Sequence, residues 1–487
     1  MHVTHLSSLT DIKKIHLVAV CGTAMGTLAG ILKTQGYQVS GSDKNMYPPM
    51  SLELEKRGIV VFNEYNPNHI KQAQPDLVII GNAVRKDNAE AVYVIEQGIP
   101  YMSMTEALSH YLIAVKESVV VAGTHGKTTT TSLLAHMLYE CGQDPSLFVG
   151  GVALNFQSSF RLGQGPYVVI EGDEYDTAFF DKTPKFWHYK PKHAIITHLE
   201  FDHADIYKDI QEVEAAFKKF ITLIPVDGSL LVCSHVEKLM ALVPFASCPV
   251  STYEVQTDYK QVAPKARHWL AHDLELLEDS SRFLVTYWNE QNQKTSYGIF
   301  EIPLSGTHNI QNALACIALS IQLGCPVESI KKSLLLFLNV KRRMEVRAVA
   351  SGITLVDDFA HHPTAVTATL CAAKQKFPHA RIIAIFEPRS QTSRRQIFQD
   401  AYIQAFQHAD IAIIADAFGN LEPHERFNSS YVCKSLQKNG IQAYALADNQ
   451  DIINYLSQHS QKGDVILVMS NGGFGGLIDQ IKTQILT

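Results

Sequence analysis

Short apolar runs punctuate the chain: IHLVAV, DLVII, SVVVAG, YVVIE, HAIITHL, ITLVDD, RIIAIF, IAIIA and DVILVM. They are close to continuous rather than alternating. Parallel strands covered on both faces read this way, whereas a strand with one wet face alternates. Stretches with helical spacing separate them, so the pattern predicts an α/β chain with helices on the faces of mostly parallel sheets. Region 247–300 is less regular. DSSRF and NEQNQKTS there read as hairpin turns, which predicts an antiparallel excursion. No internal repeat and no low-complexity tract interrupts the pattern.

The chain has 487 residues, more than one ordinary domain, and length alone suggests about three. IAVKES (Ile113 to Ser118) and NVKRRME (Asn339 to Glu345) lie between a helical stretch and a new strand. They divide the chain into expected domains 1–116, 117–340 and 341–487. Apolar residues make up 46% and charged residues 18%, enough to give each domain a core. The net charge of -6 weighs against nucleic acid as the main partner, because a duplex binder needs a basic face. The 8 cysteines are scattered with no C-x-x-C, so neither a zinc knuckle nor a redox pair is expected, and free thiols fit a reducing cytoplasm. The N-terminus has no long apolar h-region, and no run reaches the ~18 residues of a membrane helix. The expectation is a soluble cytoplasmic protein with no membrane partner.

Candidate chemistry begins at VVVAGTHGKTTTT, Val119 to Thr131. A strand ends in two glycines and a lysine, and a helix follows with Gly142 as its stop. Gly123, Thr124, His125 and Gly126 can close backbone N–H groups on an anion at a helix N-terminus. Lys127 can reach the β- and γ-phosphates, and the hydroxyls of Thr128 and Thr129 sit at the same helix start. The strict phosphate loop has glycine where this chain has Val121, so the loop is a variant. Two further strands end in carboxylates: YVVIEGDEYD in Glu171, Asp173, Glu174 and Asp176, and AIITHLEFDHADIY in Glu200, Asp202, His203 and Asp205. Ligands of open parallel sheets sit beyond the carboxyl ends of strands. Carboxylates beside phosphates repel them unless a hard cation lies between, and magnesium suits oxygen ligands. ATP and Mg2+ are the expected cofactors.

VAVCGTAMGTLAG, Val18 to Gly30, is also strand, glycine turn and helix, and GSD puts Asp43 about 20 residues on. The fingerprint is imperfect, because Val20 stands where its first glycine belongs. A Rossmann-like fold follows; the ligand could be a nicotinamide dinucleotide or another nucleotide diphosphate.

Taken together, CGTAMG, GSD, GTHGKTTT, EGDEYD, LEFDHAD, HNIQN, KRRME and DDFAHHPT resemble the Mur ligase family over essentially the whole chain. YPPMS, EYDTAFFDK, FEPRS and SNGGFGG point within it to members that attach a tripeptide rather than a single amino acid. The resemblance implies a Rossmann-like N-terminal domain for a UDP-sugar, a central P-loop ATPase domain and a Rossmann-like C-terminal domain for the incoming amine. It implies Gly22, Thr23, Gly26, Asp43 and Asn82 at the UDP-sugar. Lys127, Glu171, His203 and Arg343 would be catalytic, with Thr128, Glu171 and His203 on metal. Asn309 and Asn312 would meet adenine, Arg343 the ATP phosphates and Asp358 the ribose. The substrates implied are UDP-N-acetylmuramate, ATP and the murein tripeptide L-alanyl-γ-D-glutamyl-meso-diaminopimelate, joined through an acyl phosphate. Arg389 would contact the peptide, while Arg394 and Arg395 read more simply as residues capping a helix surface. His198 departs from the asparagine usual in the family. Lys218 lies where some relatives use a carbamylated lysine, although an exposed helix lysine is the simpler reading.

Three other readings stay open on the residues alone. One is a ligase adding L-alanine to the same sugar. The second is a nucleotide-dependent switch without ligase activity. The third, from the imperfect glycine turn, is a nicotinamide oxidoreductase.

Overall fold

The computed structural model describes residues 12–44, 46, 50–257, 266–417, 419, 421–422 and 424–486. Tyr47, Pro48 and Pro49 of the YPPMS string lie outside them. The chain forms two compact units: Met1–Leu199, Val213–Thr252 and Ala315–Ile330 make the first, and Glu200–Glu212, Tyr253–Leu314 and Lys331–Thr487 the second.

The first unit opens with a five-stranded parallel sheet. Its strands are β1 (Lys14–Val18), β2 (Gln38–Asp43), β3 (Val60–Asn63), β4 (Leu77–Ile80) and β5 (Tyr101–Ser103), in the order β3-β2-β1-β4-β5. Reversal of strand order at β1 is the doubly wound arrangement, which opens a crevice at the strand ends where the glycine turn lies. The six strands that follow are β6 (Glu117–Ala122), β7 (Ser146–Ala153), β8 (Ser158–Arg161), β9 (Tyr167–Gly172) and the hairpin β10 (Asp176–Ala178) with β11 (Asp181–Pro184). Then come β12 (His193–Ile196) and β13 (Ser229–Cys233). Within this unit the second sheet runs β13-β12-β6-β9-β7-β8, with β6 paired in parallel to both β12 and β9. Val119, Val120 and Val121 are wholly buried, as continuous apolar strands require.

The helix Lys127–Glu140 leaves β6 and is buried on every side from Thr128 to Leu138. It therefore runs through the core instead of lying on a surface. Cys141 caps it, and Gly142 takes φ +78° and ends it where the sequence predicts.

In the second unit, β15 (His268–Leu276), β16 (Ser281–Trp288) and β17 (Lys294–Ile302) form the expected antiparallel meander; β14 (Val250–Val255) precedes it in the chain. Its turns fall at residues 277–280 and 289–293, where Leu277 and Asn289 donate across to Ser280 and Gln293. The C-terminal sheet has β18 (Glu345–Ala350), β19 (Ile353–Asp358), β20 (Arg381–Phe386), β21 (Ile411–Ala415), β22 (Gln442–Leu446) and β23 (Asp464–Met469). Their order is β18-β19-β23-β20-β21-β22, parallel except for β18. Alternate residues of β20 feed two cores. Ile382, Ala384 and Phe386 enter one, Ile383 and Ile385 the other, so both sheet faces are covered.

Candidate active site

The phosphate loop sits at the carboxyl end of β6. Gly123 has φ +129° and Gly126 φ +80°, conformations that an L side chain rarely adopts. The loop is tied to the end of β12: the Thr124 N–H donates to the His198 carbonyl (3.1 Å), and the Thr197 hydroxyl donates to the carbonyls of Ala122 (3.2 Å) and His125. The His198 ring packs 5.3 Å from His125 and 6.3 Å from His235. The departure at His198 thus lies against the phosphate loop.

Two short contacts join the start of the helix that follows this loop to carboxylates at the end of β9 and just after it. The Thr128 hydroxyl donates to Glu171 Oε1 at 2.9 Å, and Glu171 Oε2 accepts the Gly150 N–H at 2.7 Å. Lys127 Nζ lies 2.7 Å from Glu174 Oε2, with both side chains largely buried. Burial alone would pull the Lys127 ammonium down. Glu174, Asp173 and Glu171 outweigh it and hold the group above its ordinary value. A hydroxyl and several carboxylate oxygens in one place form a hard donor set, which suits magnesium better than a soft metal. Lysine and backbone N–H groups beside them suit phosphate. The residues present fit both groups. Thr129 begins the same helix and is buried.

The N-terminal glycine turn is equally defined. Gly22 caps the helix Thr23–Thr34, and the Gly26 N–H donates to the Gly22 carbonyl at 2.8 Å. A Cβ on Gly26 would lie 2.2 Å from Met50 Sδ, so the helix is closely covered there. Asp43 is buried and accepts the Cys21 N–H at 2.8 Å, stiffening the turn from the neighbouring strand. Burial and this carboxylate push the Cys21 thiol up to about 11. Asn82 is partly buried in the turn after β4.

In the second unit, Asn309 and Asn312 are buried near the start of the helix Thr307–Gln322, and the Asn309 amide donates to the Ser305 carbonyl at 2.8 Å. Asp358 serves as a bracket that the sequence did not show. Its carboxylate accepts from Met344 N (2.8 Å), Ala360 N (2.8 Å) and the Thr369 hydroxyl (3.1 Å). Of the basic triplet, Arg342 clasps Asp357 and the carbonyls of Ser470 and Gly472, and both Arg342 and Arg343 lie over the Phe359 ring. His361 and His362 face the LEFDHAD segment, 4.0 Å from Asp202 and 3.4 Å from Glu200. His362 also caps the helix Pro363–Lys376, its ring accepting the Thr364 N–H. Asp202 is held well below the usual carboxylate range. Burial opposes this, but His203, His361 and His362 prevail. His203, next in the chain, takes φ +55°.

FEPRS and SNGGFGG meet in space. The Ser470 hydroxyl donates to Glu387 at 2.5 Å, and Arg389 lies so close over Gly472 that a Cβ there would be 2.2 Å from Nε. Arg394 bonds Gln391 and Arg395 pairs with Glu425, so both have local surface partners. Lys218 is exposed, with Nζ 3.6 Å from the Phe245 ring centroid, matching the simple helix-lysine reading. All eight cysteines are free, and no described helix is long and apolar enough to cross a membrane.

Three family models match consecutive parts of the chain: Mur ligase family, catalytic domain, over residues 14–115; Mur ligase middle domain over 121–320; and Mur ligase, glutamate ligase domain, over 342–472. The UDP-N-acetylmuramate–L-alanyl-γ-D-glutamyl-meso-2,6-diaminoheptandioate ligase of Haemophilus influenzae is 38% identical, over 97% of this chain and 99% of its own. The UDP-N-acetylmuramate–L-alanine ligase of Acetivibrio thermocellus is 33% identical, over 94% of this chain and 93% of its own. Among solved structures, the murein peptide ligase of Psychrobacter arcticus superposes with a TM-score of 0.72 at 34% identity, covering 96% of this chain and 98% of that one.

Proposed function

The chain belongs to the Mur ligase family, and from that premise we propose that it joins L-alanyl-γ-D-glutamyl-meso-diaminopimelate to UDP-N-acetylmuramate at the expense of ATP. It thereby returns a recovered cell-wall peptide to peptidoglycan synthesis in the cytoplasm. The domains have the family's roles: 1–116 for the UDP-sugar, 117–340 for ATP and 341–487 for the peptide. The observation that carries the reading is the pair of contacts Thr128–Glu171 and Lys127–Glu174 at the ends of two adjacent parallel strands.

A carboxylate is not electrophilic at neutral pH. The muramyl carboxylate therefore takes the γ-phosphoryl group, releasing ADP, and becomes an acyl phosphate. The free α-amine of the peptide then attacks the acyl carbon, orthophosphate leaves and the amine gives up a proton. Anions approach one another in the first step. Lys127 and Arg343 offset that repulsion, with Gly123, Thr124, His125 and Gly126 placing backbone around the phosphates. Thr128, Glu171 and His203 would hold magnesium, which when bound supplies a divalent charge between carboxylates and phosphates. Asn309 and Asn312 would face adenine and Asp358 the ribose. Gly22, Thr23, Gly26, Asp43 and Asn82 would line the UDP-sugar site. Arg389 suits a peptide carboxylate, because its planar fork matches that group.

The test supplies ATP, magnesium and UDP-N-acetylmuramate and compares phosphate release with tripeptide and with L-alanine. Tripeptide-dependent release is expected, with oxygen from the muramyl carboxylate appearing in the orthophosphate. Turnover with L-alanine in preference to tripeptide would select the alanine-adding activity instead.

A further inference from the structure

A second buried lysine stands beside Lys127 at the acidic strand end. Lys185 follows β11 and opens the short turn Lys185–Tyr189. Its side chain is only 10% exposed, and its Nζ donates to Asp173 Oδ2 at 2.6 Å. The surrounding backbone reinforces the pair. Lys185 N–H donates to the Tyr175 carbonyl (2.9 Å) and Phe186 N–H to the Asp173 carbonyl (3.1 Å). The next side chain, Phe186, is wholly buried and stacks on Phe220 with centroids 4.6 Å apart, so the lysine stands on a fixed base. Its Nζ also lies 5.3 Å from the Tyr175 ring centroid.

The end of β9 and the turn after it carry Glu171, Asp173 and Glu174. Each has its own donor: Thr128 for Glu171, Lys185 for Asp173 and Lys127 for Glu174. Asp173 also acts electrostatically on Lys127, second among the carboxylates after Glu174. Asp173 Oδ1 also accepts the Tyr175 N–H at 3.3 Å, but Lys185 brings a full positive charge to it; without Lys185 more of the Asp173 charge would reach the Lys127 ammonium and add to the repulsion felt by an incoming phosphate.

We propose that Lys185 is a positioning residue that draws Asp173 to itself, so that the close ion pair of Lys127 is with Glu174 and its ammonium stays available to a nucleotide's phosphates. The proposal rests on the ligase reading for its consequence in turnover, though not for its consequence in nucleotide binding.

The test is a cycle of full-length variants, Lys185→Met, Lys185→Arg, Asp173→Asn and the double Lys185→Met/Asp173→Asn, with ADP affinity measured in EDTA. Removing one positive charge near a diphosphate weakens binding about tenfold at solvent-like screening. Lys185→Arg restores most of that loss. Asp173→Asn restores it in the Lys185→Met background, because the competing carboxylate is gone, and by itself tightens ADP binding. In ligation, Lys185→Met raises the KM for ATP more than it lowers kcat. Unchanged ADP affinity in Lys185→Met, or no recovery in the double variant, overturns the proposal. If Lys185→Met fails to fold, Asp173→Asn decides, since unaltered metal-free ADP affinity there also overturns it. A wild-type chain that binds ADP but releases no phosphate with any acceptor would overturn the ligase reading, while the binding cycle would still decide the role of Lys185.

Discussion

Gly123→Ala is the sharpest probe of the phosphate loop, because the obstruction is backbone as well as side chain. At φ +129°, a Cβ on residue 123 would lie 2.3 Å from Thr197 Oγ1, 2.8 Å from His198 N and 2.9 Å from His198 O. Ordinary contacts begin near 3.4 Å, so the hydroxyl must retreat by more than an ångström. The retreat breaks its bonds to Ala122 and His125. Overpacking of this kind costs about 1–3 kcal/mol and the backbone conformation a similar amount, for a total of about 2–6 kcal/mol if the loop stays in place. The loop has a cheaper escape: it can swing off the end of β12, at the cost of its anion-binding geometry.

Urea unfolding and ADP titration separate these two responses. If the loop holds, the unfolding free energy falls by the full amount and ADP affinity by a few fold. If it swings, stability falls less and ADP affinity is largely lost. Adding Thr197→Ala removes the hydroxyl but not the His198 backbone, so the double variant recovers less than half of the loss. A Gly123→Ala chain within about 0.5 kcal/mol of wild type, with unchanged ADP affinity, would refute the claim that this strand end and the loop are locked together.

Acid should unfold the protein partly through His308. Burial, with help from Arg343 and against Asp358, lowers its side chain to about 4. The native state therefore refuses a proton that the unfolded chain accepts below about 6.5, so this contribution is constant above that value and stability falls as pH drops toward 4. The full shift corresponds to about 3 kcal/mol, and the solvent contact the side chain keeps reduces it to about 1–2 kcal/mol. The loss of stability between pH 7 and pH 4.5 should be smaller in His308→Gln than in wild type; equal slopes would contradict the assignment. Lys218→Ala should cost under about 1 kcal/mol, the worth of an exposed cation–π contact, and change turnover less than twofold. A collapse in turnover that bicarbonate modulates would instead identify a chemically modified lysine. Arg389→Ala should raise the KM for tripeptide at least about tenfold, as loss of a charge-assisted fork does, and Arg389→Lys should recover little. An unchanged KM would remove Arg389 from the peptide site.

The strands were legible because burial leaves a one-dimensional trace. Every quoted apolar run overlaps a strand, from β1 at Lys14–Val18 to β23 at Asp464–Met469. The two hairpin turns of the meander were legible from polar clusters between β-prone segments. Lys185 was not, because nothing in EYDTAFFDK and the residues after it says that a two-stranded hairpin folds back to set residue 185 against residue 173. Asp43 and Asp358 were read as ligand contacts, yet each also fastens backbone, to Cys21 and to Met344 and Ala360. A carboxylate in a motif carries no sequence mark that tells these duties apart.

The two missing glycines show how a motif can bend without losing its geometry. The dinucleotide fingerprint wants a glycine where Val20 stands, to let chain and ligand come close. Val20 is wholly buried, and opposite it is Gly41, whose Cβ, if present, would lie 2.7 Å from Val20 Cβ and 2.9 Å from the Leu17 carbonyl. The small residue has moved to the neighbouring strand, so the space is conserved while its owner changes. At the phosphate loop, Val121 is still strand, paired with Ile195 on one side and Glu171 on the other. A glycine there would surrender buried apolar surface and weaken the strand that aims the loop. The turn begins at Gly123, where the positive φ is needed, and Val121 sets Glu171 beside the strand that leads through the loop to Lys127 and Thr128. The valine that makes the motif imperfect is thus part of what brings carboxylate, hydroxyl and ammonium to one strand end.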